Sequence, residues 1–185
     1  MDDFRMISTV LSIVLGLGVS RLLLGLVTVF RIRRRSRPDW IPLAWVGFVF
    51  ADQLQFWWAI NQLPAIHPAF GFADFIFLVM LTFMLFLTSA LLLPSRAEDE
   101  TDGLWRYFQQ DGRYGLLAFA GFLILGFLAN LLFFQADPFA TWSLLEVPMI
   151  AVPVAVFIAR SRRTQAWLTM AYLPLLTVDT WVSLQ

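Results

Sequence analysis

Six polar side chains lie where the surrounding sequence is almost wholly apolar: Arg21, Asp52, Asp74, Asn130, Glu146 and Asp179. A charge near the centre of a bilayer costs at least ~2.5–3.5 kcal/mol on insertion scales, so it normally faces a bundle interior or a water-filled cavity. At 1.5 Å rise per residue, Arg21 and Asp52 reach similar depths, roughly 13 and 18 Å from the same side, and are expected to pair if their helices are neighbours. Such a pair is either a structural lock between two helices or a charged element of a permeation path. Glu146 has no second arginine within reach. An unpaired carboxylate in apolar surroundings can titrate, bind a cation, or donate a hydrogen bond once protonated. Pro148 and Pro153 each remove a helical hydrogen bond and free the carbonyls of Leu144 and Met149, which protein, water or an ion must satisfy. A plain helix kink explains the prolines equally well. Gln53 and Gln55 add polarity beside Asp52, one expected to face another helix and the other the path.

The rest of the composition closes off most chemistry. Of 185 residues, 59% are hydrophobic and only 14% charged, against roughly 45–50% and about 25% in ordinary soluble domains. Mean hydropathy is +0.74. Zero net charge argues against a nucleic-acid partner. The absence of cysteine excludes disulfides, thiolate metal sites and thiol nucleophiles. All basic residues are Arg, so no lysine Schiff base can form. A single His, His67, leaves no multi-histidine metal or haem site in one chain. Metalloprotease HExxH and paired intramembrane Asp patterns are absent, so the chain reads as a non-enzyme without metal or cofactor.

The elements that must position the polar residues are apolar helices. A bilayer core needs about 20 apolar residues per crossing, and six stretches meet or approach that length: about 6–30, 40–63, 72–93, 114–134, 139–159 and 166–184. The fold class is therefore all-α, a polytopic membrane protein built as one six-helix bundle over residues 1–185. Arginines collect in alternate connections: Arg31, Arg33, Arg34, Arg35 and Arg37, then Arg96, Arg106 and Arg113, then Arg160, Arg162 and Arg163. Cytoplasmic loops retain positive charge, which puts both termini outside the cell's inner (plasma) membrane. The MDDFR start is acidic and its apolar run too long for a cleaved leader, so the first span is expected to be retained. Trp40, Trp45, Trp105 and Trp167 fall near one interface and Trp57, Trp58, Trp142 and Trp181 near the other, as aromatic belts do. Three spans followed by three of opposite topology permit a 3+3 inverted repeat, and LGLGVSRLL resembles LGFLANLL, although Leu/Gly-rich helices produce such likeness easily.

Several local patterns have a plain reading beside a sharper one. Ser8, Ser12, Gly16 and Ser20 recur every four residues, a small-residue stripe on which another helix can dock, within the bundle or from a second subunit. GLG in the first span is no phosphate loop, since no strand precedes it. The acidic EDETD run is expected to be a solvated turn, and LWRYF after it a short interfacial piece with Trp105 and Phe108 at the headgroups. His67, between Pro64 and Pro68, reads as a solvated or capping imidazole rather than a pH gate.

One function orders these features: Asp74, Asp179, Glu146 and Asp52 descend from the outside, with Asn130 as a neutral group and Arg21 as an inner barrier. That gradient suits a small transport or channel protein with an outward-opening polar cavity for protons, cations or a small cationic solute. The competing expectation is a scaffold or accessory subunit, as a homo-oligomer or with a membrane partner, whose polar groups act as interhelical glue.

Overall fold

The computed structural model describes residues 2–34, 37–66, 70–94, 103–133 and 141–183, all helix and short turns, with no strand among them. Seven α-helices follow in order: α1 (Asp2–Ile32), α2 (Trp40–Ile66), α3 (Phe72–Leu92), α4 (Leu104–Tyr107), α5 (Tyr114–Leu132), α6 (Thr141–Ile158) and α7 (Arg162–Ser183). A π-helical turn, Phe108–Gly112, joins α4 to α5. Three stretches are long and apolar enough to cross a membrane: Phe4–Ile32, Phe72–Leu92 and Tyr114–Leu132. A shorter apolar helix covers Leu144–Ile158. Helices α2 and α7 are as long but are not among these three, and each carries polar residues within its length: Asp52, Gln53 and Gln55 on α2, and Gln165, Thr169 and Asp179 on α7. His67 and the EDETD run lie outside the described residues.

Helix α3 packs on α5, α5 on α6, α6 on α7, α7 on α2, and α2 returns to α3. Helix α1 lies outside this ring of five, against α3 and α2. The two halves pair their helices differently, since in the first α1 packs chiefly along α3, whereas in the second α6 packs against both α5 and α7. Three polar ties run along the parallel α2–α7 contact. Arg162 donates through Nε and Nη2 to Asp39 Oδ2 (3.1 and 2.8 Å), Trp45 Nε1 donates to Thr169 Oγ1 (3.1 Å), and Gln55 Nε2 donates to Thr180 Oγ1 (2.7 Å). Asp39 also accepts from the Ile41 amide at 2.9 Å, which meets one of the unpaired N–H groups at the start of α2.

The buried face of α1 consists of Ile7, Leu11, Leu15, Gly18, Leu22, Gly25 and Val29, alternating steps of four and three as a close-packed helix seam does. Ser12, Gly16 and Ser20 point away from the bundle, and Ser8 is half-buried. The small-residue stripe is thus on the outer surface, and Gly18 and Gly25 provide the close approach to α3. A Cβ at Gly25 would stand 2.7 Å from Leu93 Cβ, whereas one at Gly16 would have nothing within 4 Å. Gly25→Ala is therefore expected to cost about 1–3 kcal/mol by forcing α1 off α3. Gly16→Ala should leave stability unchanged or raise it by up to about 1 kcal/mol. Thermal unfolding in detergent separates the two; equal melting temperatures would show that α1 does not pack as seen.

The structure corrects two expectations at the end of the bundle that bears Arg31, Arg106 and Arg162. Phe108 does not reach out to headgroups: Leu104 and Phe108 are wholly buried while Trp105 is half-buried and Arg106 exposed, Tyr107 Oη donates to the Leu91 carbonyl (3.1 Å), and Gln109 Nε2 donates to Gln165 Oε1 (2.6 Å). The π turn places Gly112 against the Leu92 carbonyl, where a Cβ would come within 3.1 Å. This segment is a floor beneath the ring. Trp45 is also wholly buried rather than part of a belt, while Trp40, Trp57, Trp58, Trp167 and Trp181 are exposed as belt residues should be.

Candidate functional site

A cavity of about 540 Å³ lies inside the five-helix ring. Its wall comes from the half of each helix away from the arginine end: Asp52, Gln55 and Phe56 of α2, Leu78 and Leu81 of α3, Phe122 and Asn130 of α5, Glu146 and Met149 of α6, and Asp179 of α7. The chamber therefore runs from mid-bundle at Asp52 toward the end of the bundle that carries Trp58, Gln62 and Val182, all of them exposed.

Four of the six polar residues singled out in the sequence meet here: Asp52, Asn130, Glu146 and Asp179. Asp52 is 5% exposed, and its Oδ2 has no hydrogen-bond partner among the described residues. Asp179 follows two helical turns after Tyr172 on the inward face of α7, and Gln55 bonds its neighbour Thr180. Glu146 is half-buried between Leu145 and Met149. Helix α6 runs unbroken through Pro148 and Pro153, so the prolines leave Glu146 on a continuous helix turned toward the chamber. Three carboxylates from three helices thus line one cavity, and among the described residues no arginine lines it. They do not converge as a metal site: no group of three Asp, Glu, His or Cys among the described residues is placed to hold an ion.

Arg21 belongs to a different interface. Its Nη2 donates to the Ala90 carbonyl of α3 at 3.3 Å, and the expected Arg21–Asp52 pair does not form. Depth along the chain was matched, but direction was not. Successive residues turn 100° about a helix, so Gln53 rather than Asp52 faces α1 and α3. Gln53 Nε2 donates to Ser89 Oγ (2.7 Å) and would touch a Cβ at Gly18 (3.0 Å), while Gln55 lines the chamber. Gln53 thus ties α2 to α3, whereas Gln55 bonds Thr180 of α7 at the chamber edge. Asp74 is also elsewhere: its Oδ2 accepts from the Gly71 amide at 2.8 Å at the start of α3.

Beneath Asp52 the ring is closed by aromatic side chains. The Trp45 ring lies tilted 4.9 Å from Tyr172 and edge to face 5.4 Å from Phe48, and Phe48 lies 5.1 Å from Tyr172. Phe119 sits 6.2 Å from both Trp45 and Tyr172. All four are buried, and the Tyr172 hydroxyl, like Asp52 Oδ2, has no partner among the described residues. Tyr172 was not singled out in the sequence. The signal that locates it is the inward row Gln165, Thr169, Tyr172, Leu176, Asp179, spaced by four and three, which puts the tyrosine on the carboxylate's face. No protein family, curated protein or solved structure gives a significant match to this chain.

Proposed function

We propose that this is a small membrane transport protein that admits protons, cations or a small cationic solute to the chamber from outside. In this reading six helices span the inner membrane: α2 and α7 cross with their polar rows turned to the chamber, and α6 completes the ring. Both termini are outside, because the described arginines at helix ends, Arg5 excepted, cluster at the closed end and cytoplasmic ends retain positive charge. The observation that carries the reading is the set of three carboxylates lining one chamber with no cationic side chain among its described lining residues. Interhelical glue would pair such groups, whereas here Asp52 is buried and open to the cavity. The aromatic layer closes the far side, so the arrangement fits one-sided access better than an open pore.

The scaffold reading draws its support from the outward face of α1, where the space beside Gly16 leaves room for a second helix. Proteoliposomes separate the two. A transporter dissipates an imposed proton or cation gradient, and Glu146→Gln should slow that flux at least about tenfold, the scale of losing one charge-assisted contact. Absence of flux above empty vesicles, with Glu146→Gln identical to the parent, would transfer the assignment to the scaffold.

A further inference from the structure

The chamber is built for more than an ion. A cavity of about 540 Å³ falls in the range of pockets that enclose drug-sized molecules, roughly 300–1,000 Å³. A metal ion needs several oxygen ligands, and no three acidic groups among the described residues converge to supply them. Between the carboxylates the wall is apolar and aromatic. Phe56 and Phe122 meet edge to face at 5.6 Å, and Phe122 stacks on Phe119 at 6.2 Å. Leu78, Leu81 and Met149 complete the apolar side, and all three are buried. Aromatic faces attract organic cations whose charge is spread and weakly hydrated. Such a wall offers little to a small ion, which must trade its water for oxygen ligands.

We infer that the chamber binds a monovalent organic cation with an apolar body, its charge held at Asp52 and its body against Phe56 and Phe122. Asp52 is the anchor because it is 95% buried, lines the chamber, and presents Oδ2 without a partner among the described residues. Glu146 and Asp179 stand nearer the mouth and attract the cation on its way in. The inference rests on the transport reading for its site but concerns binding alone.

The test is calorimetric titration of the purified, detergent-solubilised chain with tetraphenylphosphonium and with tetraphenylborate, which match in size and shape and differ in the sign of charge. Saturable binding of the phosphonium, at least about tenfold tighter than of the borate, is expected. Asp52→Asn should weaken phosphonium binding about tenfold or more, and Phe122→Leu, which keeps the core filled, should weaken it several-fold. Circular dichroism and a monodisperse elution profile establish that each variant is folded. Equal binding of the two ions, or phosphonium binding indifferent to both substitutions, would overturn the inference. A protein that carries sodium or protons in vesicles yet binds no phosphonium would sink this inference and leave transport standing. One that binds phosphonium but moves nothing would do the reverse.

Discussion

Asp52→Leu is expected to make the protein more stable, by about 1–3 kcal/mol, while removing cation binding. A buried polar atom without a partner carries its full desolvation cost, and replacing it by an apolar group of tolerable shape removes that cost. Leucine is larger than aspartate, but the substitution faces the chamber rather than packed side chains, so the added methyls have room. Natural proteins retain such costly groups at functional sites, where stability and activity oppose one another. The measurement is a pair: melting temperature in detergent without ligand, and phosphonium affinity. A lower melting temperature for a well-folded Asp52→Leu would mean that Asp52 is a structural anchor and that the chamber is incidental. Because Asp52 and Arg21 share no contact, Asp52→Asn and Arg21→Gln should add within about 0.5 kcal/mol in a double-mutant cycle. Coupling well above that would restore the ion pair that the structure does not contain.

The contrast between Asp52 and Arg21 shows what the sequence carried. Helix limits and depths along each helix were readable, since apolar run length and rise per residue determine them. Four chamber residues could be named for the same reason: costly groups within apolar runs have few places to go. Direction around each helix was harder to read. Arg21 and Asp52 share a level, yet one faces α3 from outside the ring and the other faces the chamber from within it. The seam from Ile7 to Val29 contains the information that α1 turns Gly18 and Gly25 inward, but the Ser8–Gly16–Ser20 pattern competes with it for attention. LWRYF misleads because its composition suits an interface, and only the π turn and the Gln109–Gln165 bond place Phe108 inside. Contacts such as Gln55 with Thr180, 125 positions apart, leave no local trace at all.

Trp45→Ala is expected to have the largest effect of any single change, costing about 3–5 kcal/mol of stability. Trp45 is wholly buried at the centre of the aromatic layer, touching Phe48, Phe119 and Tyr172 and donating to Thr169 across the α2–α7 contact. Truncation leaves a void that packed helices fill only in part, and it opens the layer between the chamber floor and the arginine end. A second consequence follows from position. If that layer is the barrier, the void joins the chamber to the opposite side, and vesicles containing the Ala variant should leak cations without saturation. Trp45→Phe keeps most of the ring volume and loses the bond to Thr169, so it should cost only about 1 kcal/mol and hold the gradient. The leak separates a barrier role from a packing role, because a purely structural tryptophan would lower the melting temperature in both variants without raising basal flux. Should Trp45→Ala prove too unstable to reconstitute, Trp45→Leu gives an intermediate void on which leak should still exceed that of the Phe variant. A folded Ala or Leu variant as tight as the parent would place the barrier elsewhere in the ring and remove the aromatic layer from the transport scheme.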